Sequence, residues 1–394
     1  METLSCAAAR RLAIHCQGLN TRWKLAAGKE GAAQVVERLG YVQIDTISVI
    51  ERAHHHVLGT RHRSYRPSMI DELLVERRVF ESWAHAAAYV PFSDFRYYLP
   101  RMRSARPSKR SVEFNRAHPR LLNKVYRRVQ TEGPLSGSDF EHKRSERGPW
   151  WDWKPAKQAL EMLLDRGKLM VTARDNFRRV YDLTERVVPS GTDTSEPAKD
   201  EVARHFARRA LATHGIATVA EVRKMFGNRG AKTALAELVE SGEVVVLRVP
   251  GEEEKSYALP EMLDQLPARL GSGVLLLSPF DNLTIDRDRL VRLFDFDYKI
   301  ECYTPAAKRR YGYFTLPILW KGKLVGRLDP KAERKTKRFI VRNVVLEPTC
   351  GQQGAVAAGL AKALSEFAKF NGCEEIRVER TEPSGFKAML ERAL

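Results

Sequence analysis

The feature that most constrains this chain is an internal repeat. Residues Lys157 to Val171 align without a gap on Lys232 to Val246. Both copies place apolar side chains at i, i+3 and i+4 (Leu160, Leu163, Leu164 and Leu235, Leu238, Val239), one stripe of an amphipathic helix. Each predicted helix stops at a glycine, Gly167 or Gly242, where the chain can turn left-handed without a Cβ clash. Two short β-rich runs follow, the second ending in Tyr181-Asp-Leu183 or Tyr257-Ala-Leu259.

Upstream, Gly133 to Asp139 matches Gly215 to Glu221, a short turn that opens a helix. Further helices are predicted before each turn, over Leu122–Gln130 and Val202–Thr213. Three helices and then a hairpin is the winged-helix order. A fainter third copy reads helix, Gly40, strand through Val35–Asp45. The polar stretch Pro189–Pro197 reads as a linker. The expected fold is therefore α+β, with three tandem winged helices at 1–120, 121–192 and 197–265. Beyond about 270 the pattern changes to a β-rich α+β unit covering 270–394. It holds a short buried strand at Val274–Ser278 and a hairpin pairing Leu316–Trp320 with Leu324–Leu328 across Lys321-Gly322-Lys323. A strand at Phe339–Leu346 and an amphipathic helix at Ala355–Phe370 complete it.

Charge narrows the function. The chain has 394 residues, and 67 Lys+Arg against 49 Asp+Glu leave a formal +18, which favours a polyanionic partner. No apolar run is long enough to span a bilayer, and Met1–Asn20 lacks the apolar core of a secretory signal. The five cysteines at 6, 16, 302, 350 and 373 have no CxxC spacing, which points to free thiols in a reducing cytoplasm. Nucleic acid is the expected partner, with no membrane and no cofactor. Nothing in the pattern demands a dimer, so a monomer is expected.

Candidate DNA contacts follow from the basic clusters. The first wing carries Arg174, Arg178 and Arg179 around Phe177, suited to phosphate contact and groove insertion, or else only a solvated tip. The second wing carries Glu252-Glu-Glu254, which DNA would repel. Arg61-His-Arg63, Arg106–Arg110, Lys308-Arg309-Arg310 and Lys331–Arg338 are further clusters. If ~6 phosphates are neutralised, the log–log salt slope is near −5.

The candidate reacting pair is Gln43 and Asp45, in Tyr41-Val-Gln-Ile-Asp45. A strand there would put Val42 and Ile44 on a core face and Gln43 and Asp45 on the other. An amide and a carboxylate two apart on a strand can share one water, the carboxylate taking its proton. A polar strand face is also simply what water solvates.

Leu39 to His54 resembles the catalytic segment of the YcaQ/AlkZ DNA glycosylases, a family with Gln-x-Gln in one branch and Gln-x-Asp in the other; Gln43-Ile-Asp45 is similar to the second. The likeness continues through Ser82-Trp-Ala-His85, Ser138–His142, Trp150–Pro155, Arg179–Thr184, Leu277–Asn282, Leu293–Phe296, Glu301–Pro305, Lys308–Tyr313 and Leu324–Arg327. The resemblance implies removal of bulky N7-alkylated purines and unhooking of interstrand crosslinks in duplex DNA, by a bacterial enzyme acting on the nucleoid. It implies Asp45 and Gln43 as catalytic residues, a monofunctional hydrolysis leaving an abasic site, His85 as an accessory and Arg327 as a DNA contact.

Other clusters carry duller readings. Three consecutive histidines, His54–His56, cannot easily face one metal ion, and Asp281-Asn282 with Asp286–Arg289 match no calcium loop, so no metal is expected. Trp150, Trp151 and Trp153 could stack on bases or fill space between modules. The rivals are a winged-helix regulator without activity and an architectural protein that binds distorted DNA without cutting a bond.

Overall fold

The helix stops that the repeat predicts are where the chain turns. In the computed structural model, which describes residues 2–19, 23–104, 109–140 and 154–394, helices Gly28–Leu39, Lys154–Asp165 and Ala231–Glu240 are followed by Gly40, Gly167 and Gly242 at φ +74°, +61° and +79°. At Gly40 the position is doubly closed to other residues, since an added Cβ would lie 2.9 Å from the Phe226 ring. Helix Ser68–Val75 ends the same way, but through Arg77 at φ +60°, so no glycine marks the stop. The predicted helices run as Leu121–Glu132 and Lys199–His214. The Trp150–Trp153 cluster, His142 and most of the Arg106–Arg110 cluster lie outside the described residues.

The chain divides into two compact units. One joins Met1–Arg66 to Ala203–Leu394; the other is Pro67–Val202. The divisions fall at 66/67 and 202/203.

In the unit 67–202, strands Val79–Trp83 and Ala87–Pro91 form one antiparallel hairpin, and Leu169–Asp175 and Arg178–Leu183 another, extended by Leu135–Ser136. Phe80 sits edge-on to Phe95 at 5.4 Å in its core. A buried charge network ties the two hairpins together. Glu81, 1% exposed at its side chain, receives Arg174 at 2.5 and 2.9 Å and Arg179 at 2.8 Å. Arg179 also reaches Glu161 at 2.6 Å.

In the other unit, the N-terminus is woven into distant sequence. Glu2–Thr3 adds a parallel strand to Val245–Arg248, which pairs with Ser256–Ala258. Helix Cys6–Cys16 buries Leu12 and Ile14 in one core with Ile216, Leu247, Leu290, Leu319 and Leu324. The β-rich end is a six-stranded sheet in the order 274–276, 316–320, 323–333, 338–346, 375–378, with 381–382 also on 338–346. Its first four strands are antiparallel, and the last two pair parallel. The expected hairpin forms, with a turn one residue tighter than the sequence suggests: Trp320 pairs with Lys323 across Lys321-Gly322, at φ +45° and +81°. Helix Gln353–Phe370 covers the sheet through Val356, Leu360 and Leu364.

This unit too has a buried ion pair. Arg61, at the end of helix Ala53–Arg61, makes two hydrogen bonds to Asp281 at 2.6 and 2.9 Å, and both side chains are fully buried. Its Nε donates to the Gln17 carbonyl at 2.7 Å. Removing one partner strands a buried charge, so Arg61→Met is expected to lower stability by about 3–5 kcal/mol. An exposed cation such as Lys308→Ala should cost within about 0.5 kcal/mol. Chemical denaturation of both variants checks this, and equal small losses would refute the structural role.

Candidate active site

Gln43 and Asp45 lie on a segment clamped from both ends. At its start, Asn282 Nδ2 donates to the carbonyls of Tyr41 at 3.1 Å and Leu39 at 3.4 Å. At its end, the helix that follows is held by the Arg61–Asp281 pair. Between them the loop is sewn to the β-rich end: Ala332 N donates to Val49 O at 2.8 Å and Glu51 N to Asn371 Oδ1 at 2.6 Å. Ile50 is buried in the sheet-and-helix core.

The strand is shorter than expected. It covers only Val42–Gln43, and the chain from Ile44 to Arg52 is loop and bend, so the alternation does not carry through to Asp45. The reason is local: Asp45 Oδ2 accepts the Ile47 amide at 2.9 Å, a side-chain turn that competes with strand pairing. Val42 is buried as expected, while Ile44 and Asp45 are half-buried. Gln43 is buried, and its Oε1 has no hydrogen-bond partner among the described residues. An acceptor held dry and unpartnered is costly in a finished core, and suits a group that receives its partner from a substrate or water.

Burial pushes the Asp45 carboxyl above its ordinary value, opposed by the amides of Ile47 and Thr46 and by the charge of Arg52. Burial, joined by the charge of Asp45, raises the pKa of the Cys302 thiol. Glu301 accepts the amides of Arg310, Tyr311 and Gly312 at 3.0, 2.8 and 3.1 Å and closes the loop between them. In the sequence, Glu301–Pro305 carries no signal beyond its family resemblance.

Several expected DNA contacts are instead internal. Arg61 is consumed by Asp281, and Arg174 by Glu81 with a further bond to the Phe177 carbonyl at 2.8 Å. Arg179 bridges Glu81 and Glu161. Arg327 is 3% exposed, stacked 4.4 Å from the Phe296 ring and 4.2 Å from Tyr311, and bonded to Glu347 at 2.7 Å. These four internal placements have one cause: a guanidinium fits a buried carboxylate or an aromatic face as well as it fits a phosphate. Phe177 is half-buried at the hairpin tip, at φ +69°, with the Arg174 guanidinium 4.4 Å over its ring. Arg63, Arg178, Lys308 and Arg310 are exposed, and Arg309 lies 4.9 Å over Tyr313. His85 is exposed at the tip of the hairpin Val79–Pro91, in the other unit from Gln43 and Asp45.

The histidine run is core. His55 Nδ1 lies 2.8 Å from Tyr65 Oη, and His56 Nε2 lies 2.8 Å from the Leu276 carbonyl. Burial lowers the His56 pKa to about 4, so the neutral ring donates to that carbonyl. Among the described residues no group of three or more His, Cys, Asp or Glu is arranged to hold a metal ion, and no helix is long and apolar enough to cross a membrane.

Two comparisons bear on what the site does. The family model described as "AlkZ-like: DNA glycosylase AlkZ-like" matches residues 36–370. Among solved structures, the chain is similar to the Streptomyces sahachiroi DNA glycosylase AlkZ, with a TM-score of 0.60 at 16% identity, covering 96% of this chain and 100% of that one.

The raised Asp45 pKa has a consequence for stability. The folded state holds this proton more tightly than the unfolded chain, so stability falls as pH rises from the unfolded value through the folded one, and the deficit persists above it. At neutral pH Asp45→Asn should therefore keep or raise Tm, with the gain disappearing in acid. A Tm below wild type at pH 7 would mark Asp45 as a structural carboxylate.

Proposed function

The chain belongs to the AlkZ-like DNA glycosylase family and is a DNA N-glycosylase, and from that premise we propose that Asp45 and Gln43 hydrolyse the N-glycosidic bond of N7-alkylated purines. Membership in a family of enzymes displaces the regulator and the architectural protein as readings of the +18 charge. The observation that carries the assignment within the chain is the pair itself: a half-buried carboxylate of raised pKa and, two residues before it, a buried amide oxygen with no partner among the described residues.

The chemistry follows from the leaving group. Alkylation at N7 makes the purine cationic, so it departs as a neutral base and needs little protonation. The difficulty passes to the sugar, which becomes oxocarbenium-like. Asp45 carries negative charge in a partly dry site, where it stabilises that cation more than it would in water and accepts a proton from the attacking water. Gln43 orients the water with its amide. No lysine nucleophile is required, so the product is an abasic site. In this reading the substrate extends to interstrand crosslinks in duplex DNA, unhooked by the same displacement, and the enzyme acts as a monomer on the bacterial nucleoid.

The scaffold reading is three tandem winged helices before the β-rich end. Helices Leu121–Glu132 and Lys154–Asp165 with the hairpin Leu169–Leu183, and helices Lys199–His214, Val219–Phe226 and Ala231–Glu240 with strands Val245–Arg248 and Ser256–Ala258, support it. Phosphate contact falls to the exposed cations Arg63, Arg178, Lys308 and Arg310, with Arg309 between the last two. His85 and Phe177 remain accessory candidates on hairpin tips.

On a duplex bearing one N7-methylguanine, Asp45→Asn is expected to lose about 10²–10⁴-fold in base release while keeping its DNA affinity. Gln43→Ala should lose less. Release by wild type should rise with pH through a midpoint above the ordinary aspartate value, because the working form is the carboxylate. Wild-type protein that releases no base from monoadduct or crosslink would overturn the substrate assignment.

A separate titration sorts the arginines. Arg178→Ala should reduce the salt dependence of DNA binding by about one phosphate and leave Tm unchanged. Arg174→Ala should instead lower Tm, because it removes two of the three hydrogen bonds that the buried Glu81 receives from Arg174 and Arg179. If both variants shift only the salt slope, the buried network is wrongly assigned.

A further inference from the structure

We propose that Tyr303 is a stacking platform for the nucleobase of the reacting nucleotide, an inference that rests on Asp45 as the reacting carboxylate. Tyr303 is 89% exposed, and the next most exposed large apolar side chain among the described residues is Val75 at 54%. A single exposed aromatic needs no explanation by itself. Its mounting and its address do.

The loop that presents it is closed at several points. The Glu301 carboxylate receives three successive amides from Arg310 to Gly312. Burial alone would raise the Glu301 pKa, yet those donors and the charge of Arg309 hold it below the ordinary value, so the clamp is charged. Thr304 N donates to the Glu301 carbonyl at 2.9 Å, and Arg309 Nε returns to the Thr304 carbonyl at 2.8 Å. At the far end Gly312, at φ +146°, packs so close to Asp329 that a Cβ would lie 2.3 Å from its carboxyl carbon. Tyr303 therefore leaves a rigid base, and its ring loses little freedom when it stacks.

The address is the site. Gly312, at the loop's far end, packs on Asp329 of the strand Lys323–Glu333, and three residues further on Ala332 N donates to Val49 O of the Asp45 segment at 2.8 Å; the Asp45 charge also reaches the Cys302 thiol. Lys308 and Arg310 are exposed on the same loop, where they can hold the flanking phosphates. The other tyrosines here are already covered: guanidinium groups sit 4.9 Å over Tyr311 and Tyr313. Tyr303 is left bare. An electron-rich phenol face attracts a cationic ring more than a neutral one, so stacking here would favour an alkylated purine over an intact base without a closed pocket.

The test uses full-length protein and two duplexes, one with a single N7-methylguanine and one unmodified. Single-turnover base release and affinity are measured for wild type, Tyr303→Phe, Tyr303→Leu and Tyr303→Ala. Tyr303→Phe should stay within about twofold of wild type, while Leu and Ala should lose about 5- to 150-fold in release and in preference for the damaged duplex. Affinity for the unmodified duplex and Tm should hold, since the side chain is exposed. The proposal is overturned if Tyr303→Ala releases base and discriminates as wild type does. It is equally overturned if both duplexes weaken together, or if Leu performs as well as Phe. The affinity measurements do not depend on bond cleavage, so a failure of the Asp45 assignment is distinguishable from a failure of the stacking role.

Discussion

Everything proposed for the site depends on the two adjacent residues Asp281 and Asn282. Asp281 neutralises Arg61 with neither side chain exposed, and Asn282 binds the carbonyls that precede Val42. The segment between Leu39 and Arg61 is thus gripped before and after Gln43 and Asp45 by one tight turn from sequence more than two hundred residues away. A catalytic group on a nine-residue stretch of loop and bend would ordinarily wander. Here the loop is tied down by hydrogen bonds to Asn371 and Ala332 and by the burial of Ile50. Preorganisation of this kind has to come from the fold, because the two candidate side chains make few bonds of their own.

The charge of the chain is divided between two tasks. Arg61, Arg174, Arg179, Arg289 and Arg327 are spent inside, on Asp281, Glu81, Glu221 and Glu347. Glu221 shows the cost and its relief together. Burial opposes its ionisation, but Arg289 and Arg292 draw its pKa to about 2. A basic total therefore overstates the electrostatic footprint offered to DNA, and a cluster of arginines in the sequence does not say whether its partner is a phosphate or a buried carboxylate.

This explains what was legible in advance and what was not. Helix stops at Gly40, Gly167 and Gly242, the hairpin across Lys321-Gly322 and the strands of the β-rich end could be read because each rests on local geometry and short-range periodicity. The compact units could not. They depend on Glu2–Thr3 lying beside Val245–Arg248, a pairing of two residues with no periodic signal and no local cause. Gln43 and Asp45 were singled out from their spacing, yet the strand ends between them, since the Asp45 side chain takes a backbone amide for itself. The Glu301 clamp was invisible for the opposite reason: one carboxylate serving three amides nine to eleven residues away leaves no pattern along the chain.

The same side-chain turn that ends the strand also accounts for how Asp45 can serve. A carboxylate in a fully dry pocket would be protonated and useless as an anion, and one in open water would be screened. Asp45 is half-buried, and the Ile47 and Thr46 amides and Arg52 pull against the desolvation that raises its pKa. The balance leaves a poorly solvated carboxylate whose charge is supported by the Ile47 and Thr46 amides and by Arg52. For a leaving group that already carries its positive charge, the enzyme needs little acid and a well-placed negative charge. In the proposed reading, a loop held by distant residues, with one oxygen tied down by its own backbone, supplies that charge.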